Sequence, residues 1–279
     1  MDMNDYKVTD GVLDLSGSGL KQIDSKAFFN ARQLRTVILP KEIEHIGDWA
    51  FAKCTELEKV SFTCPHRPGL FGRDVFSGCS RLSLMEFEDM DESASRLLAL
   101  CANRLSFDQL IRSDDVGKKS WYEKWDICLT TRLKSDDAEA RMSAALCGEE
   151  DISYDGIGSV DGEMSGETGD FVQKEEYNRC ALCYLRLSDD RYLSEDTGNI
   201  IKEYIYKNRL GAGSEGSFYS IFEECGSDLS FLRIYLDVVQ PDRETLQKMI
   251  NILEPKDVYA KCYLIEASNG LESADELML

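Results

Sequence analysis

Three stretches near the start of the chain repeat one order of apolar and polar positions. They are IDSKAFFNARQLRTVIL from Ile23, IGDWAFAKCTELEKVSF from Ile46 and FGRDVFSGCSRLSLMEF from Phe71. Aligned with one another, they place Phe28, Phe51 and Phe76 in one column. A period of about 20 to 30 residues with apolar positions in register is typical of a solenoid, in which each coil buries its apolar edge against the next. The sequence therefore predicts three stacked coils.

Two further columns refine this prediction. Ala31, Cys54 and Cys79 form a column of small residues, which indicates that the neighbouring coil lies close to them. Gly47 and Gly72 form another column, and we expect them to occupy a turn with backbone angles that other residues avoid.

Each repeat ends in a short stretch that alternates between apolar and polar residues. In LRTVILP and LEKVSFT, Val37, Leu39, Val60 and Phe62 would face the core of a short strand. The residues between them would face outward, and they are the leading candidates for contact with a protein partner. This predicted protein-binding face comprises Thr36, Ile38, Lys59, Ser61, Leu84 and Glu86.

The pattern I-G-x-x-A-F-x-x-C-x-x-L-x-x-V-x-F resembles the BspA-type leucine-rich repeat of bacterial proteins. The second copy carries the pattern at Ile46, Gly47, Ala50, Phe51, Cys54, Leu57, Val60 and Phe62. The first copy departs from it at Asp24 and Ala31, and the third copy departs at Phe71 and Val75 after the insertion TCPHRPGL. The resemblance covers residues 6–88, in which DGVLDLSGSGL is similar to a capping half-coil. It implies a β-solenoid and no particular chemistry.

After Glu88 the apolar spacing becomes helical. In SASRLLALCANRL and KKSWYEKWDICLTTRL apolar residues recur every three or four positions, and Ser93 or Ser95 could cap the first helix. A short helix is predicted around AEARMSAALC, and EEYNRCALCYLRL is apolar enough to be a central buried helix. The sequence thus predicts an α+β protein with a leucine-rich-repeat solenoid over 1–90 and an all-α domain of helical hairpins over 91–279.

Within this helical part, two hairpins over 214–268 repeat at an offset of 28 residues. The first set is Phe218, Ile221, Phe222, Cys225, Phe231, Ile234, Tyr235 and Leu236, and the second is Leu246, Met249, Ile250, Leu253, Tyr259, Cys262, Tyr263 and Leu264. The layout resembles the ankyrin-like or other helical-repeat region of some bacterial BspA-repeat proteins. The preceding segment 148–170 is rich in Gly and acids without a Lys or Arg, which predicts a long surface loop.

Charge narrows the choice of partners. The chain has 52 acidic and 32 basic side chains, for a net charge of -20, so its average surface repels nucleic acid and anionic lipid. No segment approaches the roughly 20 apolar residues of a membrane helix, and the start lacks a secretory pattern. We expect a cytoplasmic protein that binds neither nucleic acid nor membrane, with its 10 cysteines reduced.

Three motifs imitate known sites. GAGSEG from Gly211 satisfies a dinucleotide pattern but follows a helical segment, so we interpret it as a link between helices. Asp151, Ser153, Asp155 and Gly156 imitate a calcium loop whose twelfth position is Gly162, which favours a solvated loop. Cys180 and Cys183 form the only C-x-x-C, and their apolar neighbours favour core packing.

Two residue pairs that include cysteine remain. Cys64 and His66 supply the minimum for nucleophilic catalysis, but no third orienting group can be named. Cys54 and Cys79 would be adjacent in the stack, and a reduced core ladder is preferred over a disulfide. The sequence therefore predicts no catalytic residues, no metal site and no cofactor.

These observations favour a non-enzymatic module for protein–protein interaction or scaffolding. One alternative is a cell-surface adhesin-like binding protein, which some members of the resembled family are. Another is a cysteine-dependent enzyme that uses Cys64 with His66, or Cys180.

Overall fold

The computed structural model describes residues 8–67, 69–103, 108–134, 166–223, 228–253 and 257–276. Two compact units are present, the first comprising Met1–Leu129 with Asp189–Ser194 and the second comprising Thr130–Ser188 with Glu195–Leu279. All described strands precede residue 87, and all described helices follow residue 91. The predicted α+β architecture, a short solenoid followed by helices, is confirmed.

Seven short strands build the solenoid within the described residues. They are β1 (Val8–Thr9), β2 (Val12–Asp14), β3 (Gln22–Ile23), β4 (Thr36–Leu39), β5 (His45–Ile46), β6 (Lys59–Phe62) and β7 (Leu84–Glu86). The larger sheet has the order β1-β2-β4-β6-β7, and β3 pairs with β5 in a smaller sheet. From β2 onward the pairs within the larger sheet are parallel, because each coil winds in the same direction and adds one strand.

The stacked phenylalanines lie at the centre of the solenoid. The ring centroids of Phe28 and Phe51 are 5.1 Å apart, and those of Phe51 and Phe76 are 5.7 Å apart. All three side chains are buried, and β4 aligns Val37 with Val60 on the same interior side. The predicted apolar columns are therefore the core of the solenoid.

Two positions in each coil adopt left-handed backbone angles. One column contains Lys26, Trp49 and Asp74, with φ of 60°, 53° and 50°. The other contains Asn30, Lys53 and Gly78, with φ of 59°, 61° and 73°. Only one of these six residues is glycine. The geometry of the coil therefore imposes a left-handed backbone conformation on five residues of types that seldom adopt it.

Gly47 and Gly72 allow close approach of neighbouring coils, and the prediction that they adopt unusual backbone angles is wrong. Neither has a positive φ. A Cβ on Gly47 would lie 2.5 Å from the backbone nitrogen of Ser25, and one on Gly72 would lie 2.7 Å from that of Asp48. The equivalent residue of the first coil is Asp24. It has room for a side chain because the preceding strand, β3, is an edge of its sheet among the described residues.

A half-coil precedes the first full coil, as the resemblance implies. In it, β2 pairs in parallel with β4 and aligns Leu13 with Val37, and β1 folds back antiparallel on β2. Leu13 and Leu15 are buried, so this half-coil covers the first coil's apolar edge.

Nine helices are described after the solenoid. They are α1 (Glu92–Asn103), α2 (Asp108–Ile111), α3 (Lys119–Lys134), α4 (Gly166–Ser188), α5 (Glu195–Lys207), α6 (Gly216–Glu223), α7 (Leu229–Val239), α8 (Arg243–Ile252) and α9 (Val258–Glu276).

Helix α1 packs against β7 at the end of the solenoid. The carboxylate of Asp91 accepts the backbone N–H of Ala94 at 2.9 Å, so Asp91 is the N-cap. The prediction that Ser93 or Ser95 caps this helix is wrong, because both lie inside it and Ser95 is buried. The sequence predicts that the solenoid domain ends at residue 90. The first compact unit instead continues to Leu129, because α1 packs on the last coil and belongs to the same unit.

Two tryptophans of α3 are fully buried in the first unit. The indole N–H of Trp121 donates to the carbonyl of Leu110 at 3.1 Å, and that of Trp125 donates to the carbonyl of Leu97 at 3.3 Å. The polar edge of each ring is thereby satisfied in the core. The predicted inward face of this helix is confirmed at both positions.

In the second unit, α4 is the central helix. It contacts α5, α6 and α7, and residues 180–184 are fully buried. The phenol of Tyr184 donates to the carbonyl of Ser217 in α6 at 2.6 Å, which satisfies its hydroxyl inside the core. The prediction of a central buried helix is confirmed.

The helices α6 to α9 form two hairpins whose first helices are equivalent, as the offset predicts. Leu246 and Met249 of α8 are buried at the positions of Phe218 and Ile221 in α6. The predicted equivalence fails in the second helices, because Tyr259 of α9 is 81% exposed where the corresponding Phe231 of α7 is 3% exposed. The ring of Phe231 packs on Tyr184 of α4 at 5.9 Å, and no described helix occupies the corresponding place beside α9.

Several predictions concern residues outside the described ranges. The short helix around AEARMSAALC and the calcium-like positions 151–156 lie within 135–165. Of the predicted loop 148–170, only the part from Gly166 is described, and it begins α4. Leu105 and Cys225 also lie outside the described residues.

Candidate protein-binding face

The six predicted outward residues form one continuous surface, here called the strand face, on β4, β6 and β7. Parallel pairing aligns them in two columns, which are Thr36–Lys59–Leu84 and Ile38–Ser61–Glu86. Each of the six side chains is half-buried, because outward neighbours on adjacent strands cover one another. The structure thus brings together residues that are up to 50 positions apart in the sequence.

Hydrogen bonds fix the charged part of the strand face. The ammonium of Lys59 lies 2.8 Å from Oε1 of Glu86, and the hydroxyl of Ser61 donates to Oε2 at 2.9 Å. The Lys59 ammonium, followed by the Ser61 hydroxyl, holds the pKa of Glu86 below its usual value despite partial burial. Glu86 therefore stays ionised near neutral pH and presents an oriented carboxylate.

Apolar side chains flank this charged group. Ile38 is on the strand next to Ser61, and Leu84 is on the strand next to Lys59. A half-buried apolar surface beside a fixed ion pair suits a protein partner, because the apolar area supplies burial and the charges supply orientation. The ion pair itself contributes little to folding, since both side chains are about 40% exposed.

The turn side of the solenoid carries a cation–aromatic row that sequence reasoning missed. The ammonium of Lys26 lies 5.6 Å and the guanidinium carbon of Arg73 lies 5.3 Å from the ring centroid of Trp49. Arg73 also pairs with Asp48 of the preceding coil at 3.1 Å. The sequence does place Lys26 and Trp49 in the same column of the repeat. An alignment of columns does not show which side chains are in contact, so this row could not be predicted from it.

Cys64 and His66 are both engaged in packing. His66 uses Nε2 in a 2.8 Å hydrogen bond with the carbonyl of Ile111, and its ring packs on the edge of Phe87 at 5.0 Å. Burial raises the pKa of the Cys64 thiol, although Arg67 opposes this, and burial lowers the pKa of His66. A buried neutral thiol is a poor nucleophile, so this arrangement suits packing.

The remaining cysteine pairs are also core residues. The thiols of Cys54 and Cys79 donate to the carbonyls of Phe28 and Phe51, each at 3.1 Å, so the two cysteines form a ladder in the core. Cys180 and Cys183 are fully buried within α4, as their apolar neighbours predict. Burial raises the pKa of the Cys183 thiol far above its usual value.

The glycine-rich segment GAGSEG lies between two helices. GAGSEG links α5 to α6, with positive φ at Gly211 and Gly213, which confirms the interpretation as a link between helices. A shallow cavity of about 450 Å³ lies between this link and α8, and Leu210 and Ile252 form part of its apolar lining.

The described residues contain no group of three or more His, Cys, Asp or Glu side chains that could hold a metal ion. None of the described helices has the length and apolar character needed to cross a membrane.

Coils that each add one parallel strand and stack on a phenylalanine ladder define a β-solenoid. Residues 13–111 match the family model described as BspA type leucine rich repeat region, in six copies. The match begins in β2 and continues past the last strand to the end of α2. It confirms the predicted resemblance of these repeats to the BspA-type leucine-rich repeat. Comparison of the chain with curated proteins and with solved structures gives no match.

Proposed function

We propose that this protein is a non-enzymatic protein–protein interaction or scaffold module whose strand face contacts a protein partner. One observation carries the proposal. The outward residues of three consecutive parallel strands form two aligned columns, in which the oriented Lys59–Glu86 pair lies between Ile38 and Leu84. Such a surface offers both burial and orientation to a partner without any catalytic group.

A second observation supports it. Leucine-rich repeats generally mediate protein–protein interaction, and an extended solenoid surface suits that role. We propose separately a cytoplasmic location in a bacterial cell, because six of the eight described cysteines are buried and pack as small apolar side chains, as is usual for thiols in a reducing compartment.

The first experiment maps the contact. A photo-crosslinking amino acid replaces Ser61 on the strand face or, as a control, the exposed Ser80 in a turn of the third coil. We expect a discrete protein adduct from native-source extract at position 61 and none at position 80. Equal adducts at both positions, or an adduct only at position 80, would contradict the proposal.

The second experiment measures affinity with the partner that is captured. Ile38→Asp with Leu84→Asp adds two charges to the strand face, and Ser77→Asp with Ser80→Asp adds the same charge to the exposed turn side. We expect the first double variant to weaken calorimetric binding by about tenfold or more and the second to leave it unchanged. Circular dichroism melting shows whether each variant is folded. Folded strand-face variants that bind like the wild type would exclude this surface.

A further inference from the structure

Helix α9 presents an exposed apolar row to solvent. Val258, Tyr259 and Ile265 are 55%, 81% and 45% exposed, and the thiol-bearing Cys262 is also exposed. The opposite side of the helix is buried in the second unit. Exposed apolar side chains that lie together along one side of a helix mark a contact surface. The row on α9 therefore indicates that another surface covers it.

The spacing of the row identifies the kind of surface. Val258, Cys262, Ile265 and Asn269 are separated by four, three and four residues, which are the d, a, d and a positions of a heptad. The buried residues Ala260 and Leu264 fall at f and c, on the side that faces the rest of the second unit. A seam with this period fits another α-helix with the same period, packed at about 8 to 10 Å.

The charged residues beside the seam identify the partner helix. Lys261 is at position g and Glu266 at the following e position, five residues later. In a parallel pair of identical helices, the g residue of one helix lies opposite the next e residue of the other, so both Lys261–Glu266 contacts join opposite charges. Neither side chain has an ion pair within the described part of the chain.

We propose that α9 is a homodimerisation helix, which packs in parallel against α9 of a second copy of this chain around a two-fold axis. Val258, Cys262 and Ile265 form the seam, and each Lys261 pairs with Glu266 of the second copy. Tyr259, at position e, covers the edge of the seam. A two-fold axis requires one self-complementary surface, and this row with its flanking opposite charges supplies it.

The net charge of the chain opposes this association but does not prevent it. Two copies of -20 repel each other at long range, and at physiological salt the Debye length of about 8 Å limits that repulsion to nearby groups. The apolar seam and the local opposite charges then decide the contact. We therefore expect a reversible monomer–dimer equilibrium in the micromolar range.

Sedimentation of the full chain at physiological salt tests the seam. We expect dimers at about 100 μM protein, and at least about a tenfold weaker dimer with Ile265→Arg. Ile127→Arg is the matched control, because Ile127 is 65% exposed on α3 and lies outside the row. A wild-type monomer at that concentration, or equal losses in the two variants, would overturn the proposal.

Charge reversal tests the parallel orientation. The Lys261→Glu variant and the Glu266→Lys variant each bring like charges together, so each alone should dimerise more weakly than the wild type. Mixed, they should form a heterodimer, because every g–e contact then joins opposite charges. Val258→Cys in a Cys262→Ser background should yield a 258–258 crosslink with a short bismaleimide. Its absence, together with no recovery on mixing, would rule out the parallel pair.

Discussion

Arg191 reaches back to Asp91, a residue 100 positions earlier that caps helix α1. Its guanidinium makes two hydrogen bonds to the Asp91 carboxylate, one of them at 3.0 Å, and two more to Asp189, each at 2.7 Å. Asp189 in turn accepts the hydroxyl of Tyr122 at 2.9 Å. This cluster, here called the Arg191 cluster, joins residues 189–194 to the solenoid-capping helix inside the first compact unit.

Removing Arg191 should destabilise the protein. Arg191→Ala leaves the buried carboxylate of Asp189 with Tyr122 as its remaining side-chain partner in the cluster, and we expect a loss of about 2 kcal/mol in the free energy of unfolding. The loss is moderate because the arginine side chain is 39% exposed and partly screened by solvent. Urea unfolding measures it. Adding Asp189→Asn to the variant removes the unpaired charge and should recover part of the stability, and no recovery would contradict the role of that charge.

The Arg191 cluster should also make stability depend on pH. Arg191 is the main cause that holds the pKa of Asp91 below its usual value. Burial raises the pKa of Asp189, but hydrogen bonds from Arg191 and Tyr122 outweigh it and the net shift is downward. A lowered folded-state pKa stabilises the protein above the ordinary carboxyl pKa of about 3.9, and this stability is lost as pH falls through the folded-state value.

The stability difference between wild type and Arg191→Ala should therefore be larger at pH 7 than near pH 3. Urea unfolding of both proteins across this range measures the difference. A gap that stays constant or widens toward acid pH would show that ionised carboxylates are not its source.

Phe51 should be among the most costly side chains to truncate in the solenoid. It is fully buried between Phe28 and Phe76, so Phe51→Ala removes two ring contacts and leaves a cavity. We expect a loss of about 3 to 5 kcal/mol by chemical denaturation. Phe29→Ala is the neighbouring control, because Phe29 is 43% exposed and its loss should be small. Similar losses for the two variants would show that the column is not the core.

Gly47 should not tolerate even a methyl group. The added Cβ would meet backbone atoms of Ser25 and Asp24, which cannot move without separating two coils. We expect Gly47→Ala to cost about 2 kcal/mol or more, measured by thermal unfolding. Gly17→Ala is the control, since a Cβ there meets nothing within 4 Å and its φ is not positive. A Gly47→Ala protein that melts with the control would show that the coils can separate at low cost.

Much of the solenoid could be predicted from the sequence because its features are periodic. The columns of Phe28, Phe51 and Phe76 and the alternation in β4 and β6 depend only on spacing along the chain, and they were correct. Spacing also placed the six residues of the strand face on one side. It did not show that Lys59, Ser61 and Glu86 bond to one another, because hydrogen bonding between coils depends on rotamers as well as on register.

Other features could not be read from spacing. The cap of α1 was assigned to the wrong residues, because Asp91, Ser93 and Ser95 are all suitable caps and only the path of the chain after β7 selects Asp91. The 28-residue offset predicted that Tyr259 is equivalent to Phe231, but burial depends on whether another helix lies alongside, which an offset within the chain does not specify.

The sequence by itself determined the repeating unit, its apolar core and the change from strands to helices, because each is a local pattern that one coil or one helix satisfies. Only the tertiary structure decided why Gly47 and Gly72 are glycine, which carboxylates Arg191 binds and which face of α9 remains open. Those outcomes depend on how closely segments distant in sequence approach one another. The distance between such segments is set by the packing of the folded chain, and it produces no periodic pattern in the sequence.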